Sequence, residues 1–279
     1  MYTTEKKMSV CGKLLDWIYG FLGLPQYNLA ALPVLQSGRF GTIYELNRFS
    51  VLKCGFSLND EIKALQACQG HRNIVRLHTV HTLHDSECFT MQRGDKDLFT
   101  AIVDDDPLDF SSIGLDILNG LCHMHRLGYT HQDVKPENIL LIKGTAVLCD
   151  FGHSGKQFRQ HCKFGTKEYM TFDLLRLPSE CPTITADTPS VNCVEADMWA
   201  FTVVLFVMFM KCQPFSVDLI DGHSVRCPYA QHLLQHKRYN WTHFSPEHQT
   251  KRDFVDFSFT AKLNAETTHT VFCVFFELA

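Results

Sequence analysis

A chain of 279 residues with 45% hydrophobic and 12% aromatic content has enough apolar material for a packed core, which excludes a disordered protein. Its 26 basic and 30 acidic residues leave a net charge of −4, so bulk electrostatics give no case for a nucleic-acid partner, which would need a basic excess to neutralise phosphates. The 12 cysteines follow no C-x-x-C or other regular framework and no signal-peptide pattern precedes them, so they read as reduced thiols of an intracellular protein, working in the cytoplasm or nucleus.

Residues 1–32 form an N-terminal extension to which the sequence assigns no role. Its apolar run Leu14 to Leu24 is broken by Gly20 and Gly23 and carries Asp16. That is too short for a bilayer and reads as a helix packing on its own domain. From Val34 the pattern becomes strand, turn and strand, with Gly38 and Gly41 in the turn and Ile43 and Glu45 alternating after it. Such a hairpin can bring backbone amides close to phosphate oxygens, although two glycines in a hairpin are usually only turn chemistry. Phe49 to Cys54 reads as a third strand with Lys53 near its end. Ser57 to Gly70 reads as a helix capped by Ser57 or Asn59, with Ile62, Leu65 and Cys68 inward and Glu61 beside that stripe, able to reach Lys53. Asn73–Leu77 and Cys88–Met91 complete a five-stranded sheet with one helix. His78, His81 and His84 recur every three residues between them, but with no helical cap this spacing does not aim them at one metal ion.

Beyond Gly94 the chain turns helical. Asp97–Val103 is a short helix and Ser111–Leu127 a long one with Ile113, Ile117, Leu121 and Met124 inward, ended by Gly128. That helix leads into Tyr129-Thr-His-Gln-Asp-Val-Lys-Pro-Glu-Asn-Ile-Leu-Leu141. Ile139 to Leu141 reads as a buried strand, and the polar Asp133, Lys135 and Asn138 cluster just before it. A carboxylate there could take a proton from a hydroxyl, the lysine could balance charge on a moving phosphoryl group, and the amide oxygen could hold a hard cation. The stretch could also be a polar turn broken by Pro136. A second strand, Ala146 to Cys149, ends in Asp150, which could share that cation with Asn138. Pro178 to Asn192, rich in Pro, Thr and Ser, reads as an exposed loop. Trp199 to Met210 offers about 12 apolar residues where a membrane span needs roughly 20, and reads as a helix buried on all sides.

The order of these features resembles the eukaryotic protein kinase family, whose signature set is a glycine-rich loop, a strand lysine, a helix glutamate, H-R-D followed by asparagine, and D-F-G. Here stand Gln36-Ser-Gly38-Arg-Phe-Gly41, Val51-Leu-Lys53, Glu61, His131-Gln-Asp133-Val-Lys-Pro-Glu-Asn138 and Asp150-Phe-Gly152. The resemblance implies an α+β, two-lobed, protein-kinase-like fold over residues 33–279. A small β-rich N-lobe with one helix would cover about 33–92, and a larger, mainly helical C-lobe about 93–279. It implies an ATP-dependent kinase that transfers the γ-phosphoryl group to Ser or Thr hydroxyls of protein substrates, using magnesium, or manganese in its place. Asp133 would orient or deprotonate the acceptor hydroxyl, Lys135 would stabilise the moving phosphoryl group, and Asn138 and Asp150 would hold the metal. Lys53, held by Glu61, would grip the nucleotide phosphates under the Gly38–Gly41 loop. Met91 resembles the residue behind the adenine pocket, with Gln92 and Arg93 as the link between lobes. Lys135, two residues after Asp133, resembles the serine/threonine branch, and Gly165-Thr-Lys-Glu-Tyr169 the segment that seats the acceptor, with Thr166 bonded to Asp133 and Lys135. Asp197 would support the catalytic-loop backbone from the start of the buried helix.

Four departures from the family pattern stand out. Gln36 replaces the first loop glycine. Lys53 and Glu61 are eight residues apart, a shorter linker than the family's. Gln132 replaces the arginine that receives an activation-loop phosphate, and the only hydroxyl residue between Gly152 and Gly165 is Ser154. Activity independent of activation-loop phosphorylation follows from the last two. The compact, divergent pattern resembles small viral kinases, which act in the host cell, or SH3-binding-domain kinases. Two alternatives remain: a pseudokinase scaffold binding nucleotide or partner proteins without efficient catalysis, and a small-molecule phosphotransferase with a related core. No membrane span and no nucleic-acid partner are expected, and the oligomeric state is not set by the sequence.

Overall fold

Alternating apolar positions at Ile43, Val51, Phe89 and Met91 give one end of the molecule a sheet with a buried inner face. In the computed structural model, which describes residues 27–38, 41–83, 86–156, 158–160, 164–175, 190–214, 249–260 and 264–276, this sheet has five antiparallel strands. They are β1 (Val34–Gly38), β2 (Gly41–Asn47), β3 (Ser50–Gly55), β4 (Leu77–Leu83) and β5 (Ser86–Gln92), in the order β1-β2-β3-β5-β4. One helix, α1 (Asn59–Cys68), packs Ile62, Leu65 and Cys68 into the core below.

Two local expectations are corrected. Asn73–Leu77 is not a sheet strand. Asn73 and Val75 bond instead across to Leu148, with Leu148 N donating to Asn73 O and Val75 N to Leu148 O, both at 2.9 Å, and Asn73 Nδ2 reaching Ala146 O. The strand starts at Leu77 and includes His78 and His81; its many exposed polar residues hide it from a hydrophobic pattern. Nor does α1 carry the expected side-chain cap: Leu58 occupies the cap position and Ser57 has a left-handed backbone, φ 60°.

The thiol expectation changes as well. Cys54 and Cys88 face each other across β3 and β5 and are joined as a disulfide, 34 residues apart in sequence. Spacing could not reveal the pair, because strand register rather than sequence distance brings the two together. Tyr27, Leu29 and Leu32 pack over them on the outer face of the sheet, together with Tyr44, Leu46 and Leu52. No three His, Cys, Asp or Glu side chains converge as a metal site among the described residues, and His84 lies outside them.

The second region is built around two long helices. β6 (Lys96–Asp97) leads into α2 (Leu98–Val103), whose first turn is capped by Asp97 accepting from Thr100 N. Asp109 caps α3 (Phe110–Arg126) in the same way through Ser111 N and Ser112 N. β7 (Tyr129–Thr130), β8 (Ile139–Ile142) and β9 (Thr145–Leu148) follow, with β8 between β6 and β9. β10 (Gly155–Lys156) pairs with β7. β11 (Phe158–Gln160) pairs with β12 (Ser190–Asn192), so the end of the expected 178–192 loop is a strand, while residues 178–189 lie outside the described set. A short helix α4 (Phe172–Leu175) precedes α5 (Cys193–Met210), and α6 (Gln249–Thr260) and α7 (Ala265–Phe275) close the core. By length and composition α5 could cross a bilayer, yet 72% of it is buried inside the protein, where Phe201 and Leu205 join Phe254 and Phe272 in the main core. The extension through Gln26 lies outside the described residues.

Candidate active site

Asp133, Lys135 and Asn138, the polar groups named from the sequence, come into direct contact with one another. The loop is held from below by Asp197 at the start of α5. Its Oδ2 accepts from His131 N at 2.8 Å and its Oδ1 from Gln132 N at 2.7 Å, while His125 Nε2 on α3 lies 2.8 Å from Oδ2. All the loop-facing atoms are buried, so this carboxylate satisfies two backbone donors that would otherwise be stranded. Asp197→Asn would aim an amide N–H₂ at one of these donors and is expected to lower unfolding stability by about 2 kcal/mol, read from urea midpoints.

Above that support, Asp133 Oδ1 accepts from Thr166 Oγ1 at 2.7 Å, and Lys135 Nζ donates to the same hydroxyl at 2.8 Å and lies 3.0 Å from Asp133 Oδ2. The segment Gly165–Tyr169 reaches this position through Gly165, whose φ of +80° favours glycine and where a Cβ would come within 2.5 Å of Gln132 O. Asn138 Nδ2 donates to both the backbone oxygen and Oδ2 of Asp133, each at 2.9 Å. These bonds fix the carboxylate and leave the amide oxygen of Asn138 as an acceptor.

Cys149 N donates to Asn138 O at 3.0 Å, which sets Asp150 beside Asn138 where β8 and β9 run together. Asp150 itself is left-handed, φ 56° and ψ 78°, a conformation held by its surroundings and common at working sites. One amide oxygen and one carboxylate are hard donors, a set that fits magnesium or manganese and not a soft metal.

Across the cleft, Lys53 Nζ lies 2.7 Å from Glu61 Oε1 and 2.8 Å from Asp150 Oδ1. The eight-residue linker therefore closes the pair: β3 ends at Gly55 and α1 begins four residues on, so Glu61 sits in the first turn, over the strand end. Burial would lower the Lys53 pKa, but the two carboxylates overcome it and hold the ammonium above its ordinary value. Burial raises Glu61, and Lys53 opposes that shift without cancelling it. Burial acts on Asp150 in the same raising sense, but Lys53 outweighs it and leaves the carboxyl below its ordinary range.

Gly38 and Gly41 stand opposite each other at the base of the β1–β2 hairpin, whose tip, Arg39 and Phe40, is outside the described residues. A Cβ at Gly41 would lie 2.4 Å from Cys54 O, so this glycine permits the hairpin to press on β3. Met91 is buried in β5 opposite Val51, and Gln92 follows it, its N–H bonded to Arg76 O at 2.9 Å. Arg93, next in the chain, pairs with Glu45 of β2.

These motifs agree with a comparison across known proteins: residues 46–271 match the protein kinase domain family. The chain belongs to the protein kinase family. The kinase domain is 32% identical over 156 residues to the serine/threonine-protein kinase SKS1 of Saccharomyces cerevisiae, covering 49% of this chain and 30% of that protein. It is 32% identical over 217 residues to the protein kinase US3 homolog of Gallid herpesvirus 2, covering 71% of this chain and 50% of that one. It is 30% identical over 171 residues to the human serine/threonine-protein kinase Kist, covering 55% and 40%. The chain thus spans half or less of the length of these relatives. Two participants in the kinase site escaped the sequence reading. His125 sits on a helix whose periodicity marks only its apolar stripe, and Thr130, which donates to Gly155 O and Lys156 O at 3.2 Å, looks like an ordinary strand residue.

Proposed function

We propose that this chain is an ATP-dependent protein kinase that phosphorylates Ser or Thr hydroxyls of protein substrates. The observation that carries the reading is the shared hydroxyl of Thr166, bonded at once to Asp133 and Lys135. A threonine hydroxyl already sits against the candidate base and the candidate charge clamp, next to where an acceptor hydroxyl would have to come. Asp133 would take the acceptor proton at an oxygen that Asn138 orients, and Lys135 would offset negative charge on the transferring group. Lys53 would meet the nucleotide phosphates while Glu61 keeps it in place. A divalent ion on Asn138 and Asp150 would supply charge neutralisation between phosphate oxygens. ATP is an intracellular donor, and we place the enzyme in the cytoplasm or nucleus.

The reading includes activity without activation-loop phosphorylation. Gln132 is buried and uncharged, and its Nε2 donates to Thr130 Oγ1 at 2.8 Å and to Lys156 O at 3.3 Å, tying β7 to β10. An arginine here would offer a charge to a phosphate; the amide instead fastens the start of the activation segment with neutral bonds. Ser154 is buried against His131 O and presents no hydroxyl to another kinase.

The test is a labelled-ATP assay with a generic basic protein and magnesium or manganese, followed by phosphoamino-acid analysis, before and after phosphatase treatment of the enzyme. Phosphoserine or phosphothreonine is expected, with activity after treatment within about two-fold of that before, because no charge pair depends on the removed group. Loss of all activity on treatment overturns the independence. Absence of transfer with both metals favours a scaffold, and transfer only to small molecules favours a small-molecule phosphotransferase.

A further inference from the structure

The Cys54–Cys88 pair occupies a mechanically central place. Side chains alternate along β3, so Lys53 points into the cleft and Cys54 to the outer face, where Cys88 of β5 stands directly opposite. β5 runs on from Cys88 to Met91 and Gln92, and the carbonyl of Cys54 is the atom against which Gly41 presses. One covalent link therefore joins the lysine strand to the strand leading between the lobes, beneath the base of the glycine hairpin. The pair is almost fully buried under Tyr27, Leu29 and Leu32. Cys68, Cys122 and Cys149 are also buried, but none of them is joined to a second cysteine. Burial pushes the thiols of Cys68 and Cys122 up to about 11. Disulfides in reducing compartments are as a rule redox-responsive and not permanent.

We propose that Cys54 and Cys88 form a reversible oxidation site that locks the outer face of the nucleotide-side sheet. In the forward direction a hydroperoxide oxidises one thiolate to a sulfenic acid, its O–O bond breaking to release an alcohol, or water when the oxidant is hydrogen peroxide. The second thiol then attacks that sulfur, forming the S–S bond and releasing water. Together the two thiols give up two electrons and two protons. A dithiol reverses the step by exchange: its first thiolate opens the S–S bond, and its second closes its own disulfide and frees the protein as two thiols. The backbone ladder between β3 and β5 persists in both states, so reduction loosens the sheet and its Tyr27–Leu32 cover without dissolving them.

The experiment uses the full chain and does not depend on its catalytic activity. Protein exposed to hydrogen peroxide is denatured with iodoacetamide, reduced, labelled with N-ethylmaleimide and mapped by peptide mass spectrometry. The same is done on protein first treated, while folded, with dithiothreitol. Cys54 and Cys88 are expected to take the second label after peroxide and the first after dithiothreitol. The melting temperature of the dithiothreitol-treated protein is expected to be lower by on the order of 10 °C, the effect of freeing a loop of this length in a chain of this size. The double variant Cys54→Ser/Cys88→Ser should melt alike in both conditions. First-label capture of both cysteines after peroxide overturns the proposal, and so does a disulfide that dithiothreitol cannot open in the folded protein. Because the labelling is read on the natural chain, the answer stands even where the double variant fails to fold.

Discussion

Asp133→Asn is expected to lower kcat by about 10²–10⁴ while leaving KM for ATP within a few-fold, because the loss is confined to proton transfer and acceptor orientation. The carboxylate accepts from Thr166 Oγ1 and from Asn138 Nδ2 and faces the Lys135 ammonium at 3.0 Å. An amide of the same shape keeps one acceptor oxygen, so most of the local geometry can persist. What it loses is a site for the departing proton and the negative charge that balances Lys135. Lys53, the group that would grip the nucleotide phosphates, bonds to Glu61 and Asp150 and not to Asp133. Initial-rate measurements with varied ATP check the split. A variant with undiminished kcat would remove Asp133 from the mechanism, and a variant with a large rise in KM for ATP and unchanged kcat would reassign it to nucleotide binding.

Lys53→Met should be more disruptive, because it damages the fold and the chemistry together. It removes the cation from between Glu61 and Asp150, and the Glu61 side chain is only 3% exposed. Breaking a buried pair on one side costs about 3–5 kcal/mol at neutral pH, and kcat/KM should fall at least about 100-fold with the loss of the phosphate contact. The stability cost should depend on pH. Burial already raises Glu61, and without Lys53 only the backbone N–H of Phe151 opposes that rise. A carboxyl whose folded pKa exceeds its unfolded value keeps its full contribution below the unfolded value and loses it as pH rises through the folded one. The gap between variant and natural protein should therefore be small near pH 4 and widen toward pH 8. In the natural protein Asp150 works in the opposite sense, its lowered pKa giving a contribution present above the ordinary carboxylate range and lost as the solution is acidified. Urea titrations of both proteins from pH 4 to 8 check this, and a gap that narrows with rising pH would refute the account of Glu61.

Much of the site could be read from the sequence because it is local in the chain. Asp133, Lys135 and Asn138 lie within one turn-like stretch whose own hydrogen bonds put them together, and the strand following them is marked by four consecutive apolar residues. Asp150 is likewise announced by the strand that ends before it. The Lys53–Glu61 contact was harder, since an unusually short linker can either stretch a pair apart or draw it in, and only the position of α1 over the end of β3 decides. Cys54 and Cys88 were invisible for a different reason. Pairing across a sheet depends on register, and a shift of one residue would have sent one of the two to the inner face. Asn73 to Val75 misled because apolar β-formers suit a bridge to another part of the fold as well as they suit a sheet strand.

That bridge governs how the cleft can move. Asn73, Val75 and Leu148 exchange two backbone bonds just beyond the end of α1, and the side chain of Asn73, wholly enclosed, adds a third to Ala146. A stitch of this kind resists sliding and permits swinging. Displacement grows with distance from a pivot, so the hairpin of Gly38 and Gly41 at the far edge of the sheet sweeps the widest arc, while α1, anchored beside the stitch, travels least. Nucleotide could thus enter and leave under a rocking edge while the ammonium of Lys53 stays close to Glu61.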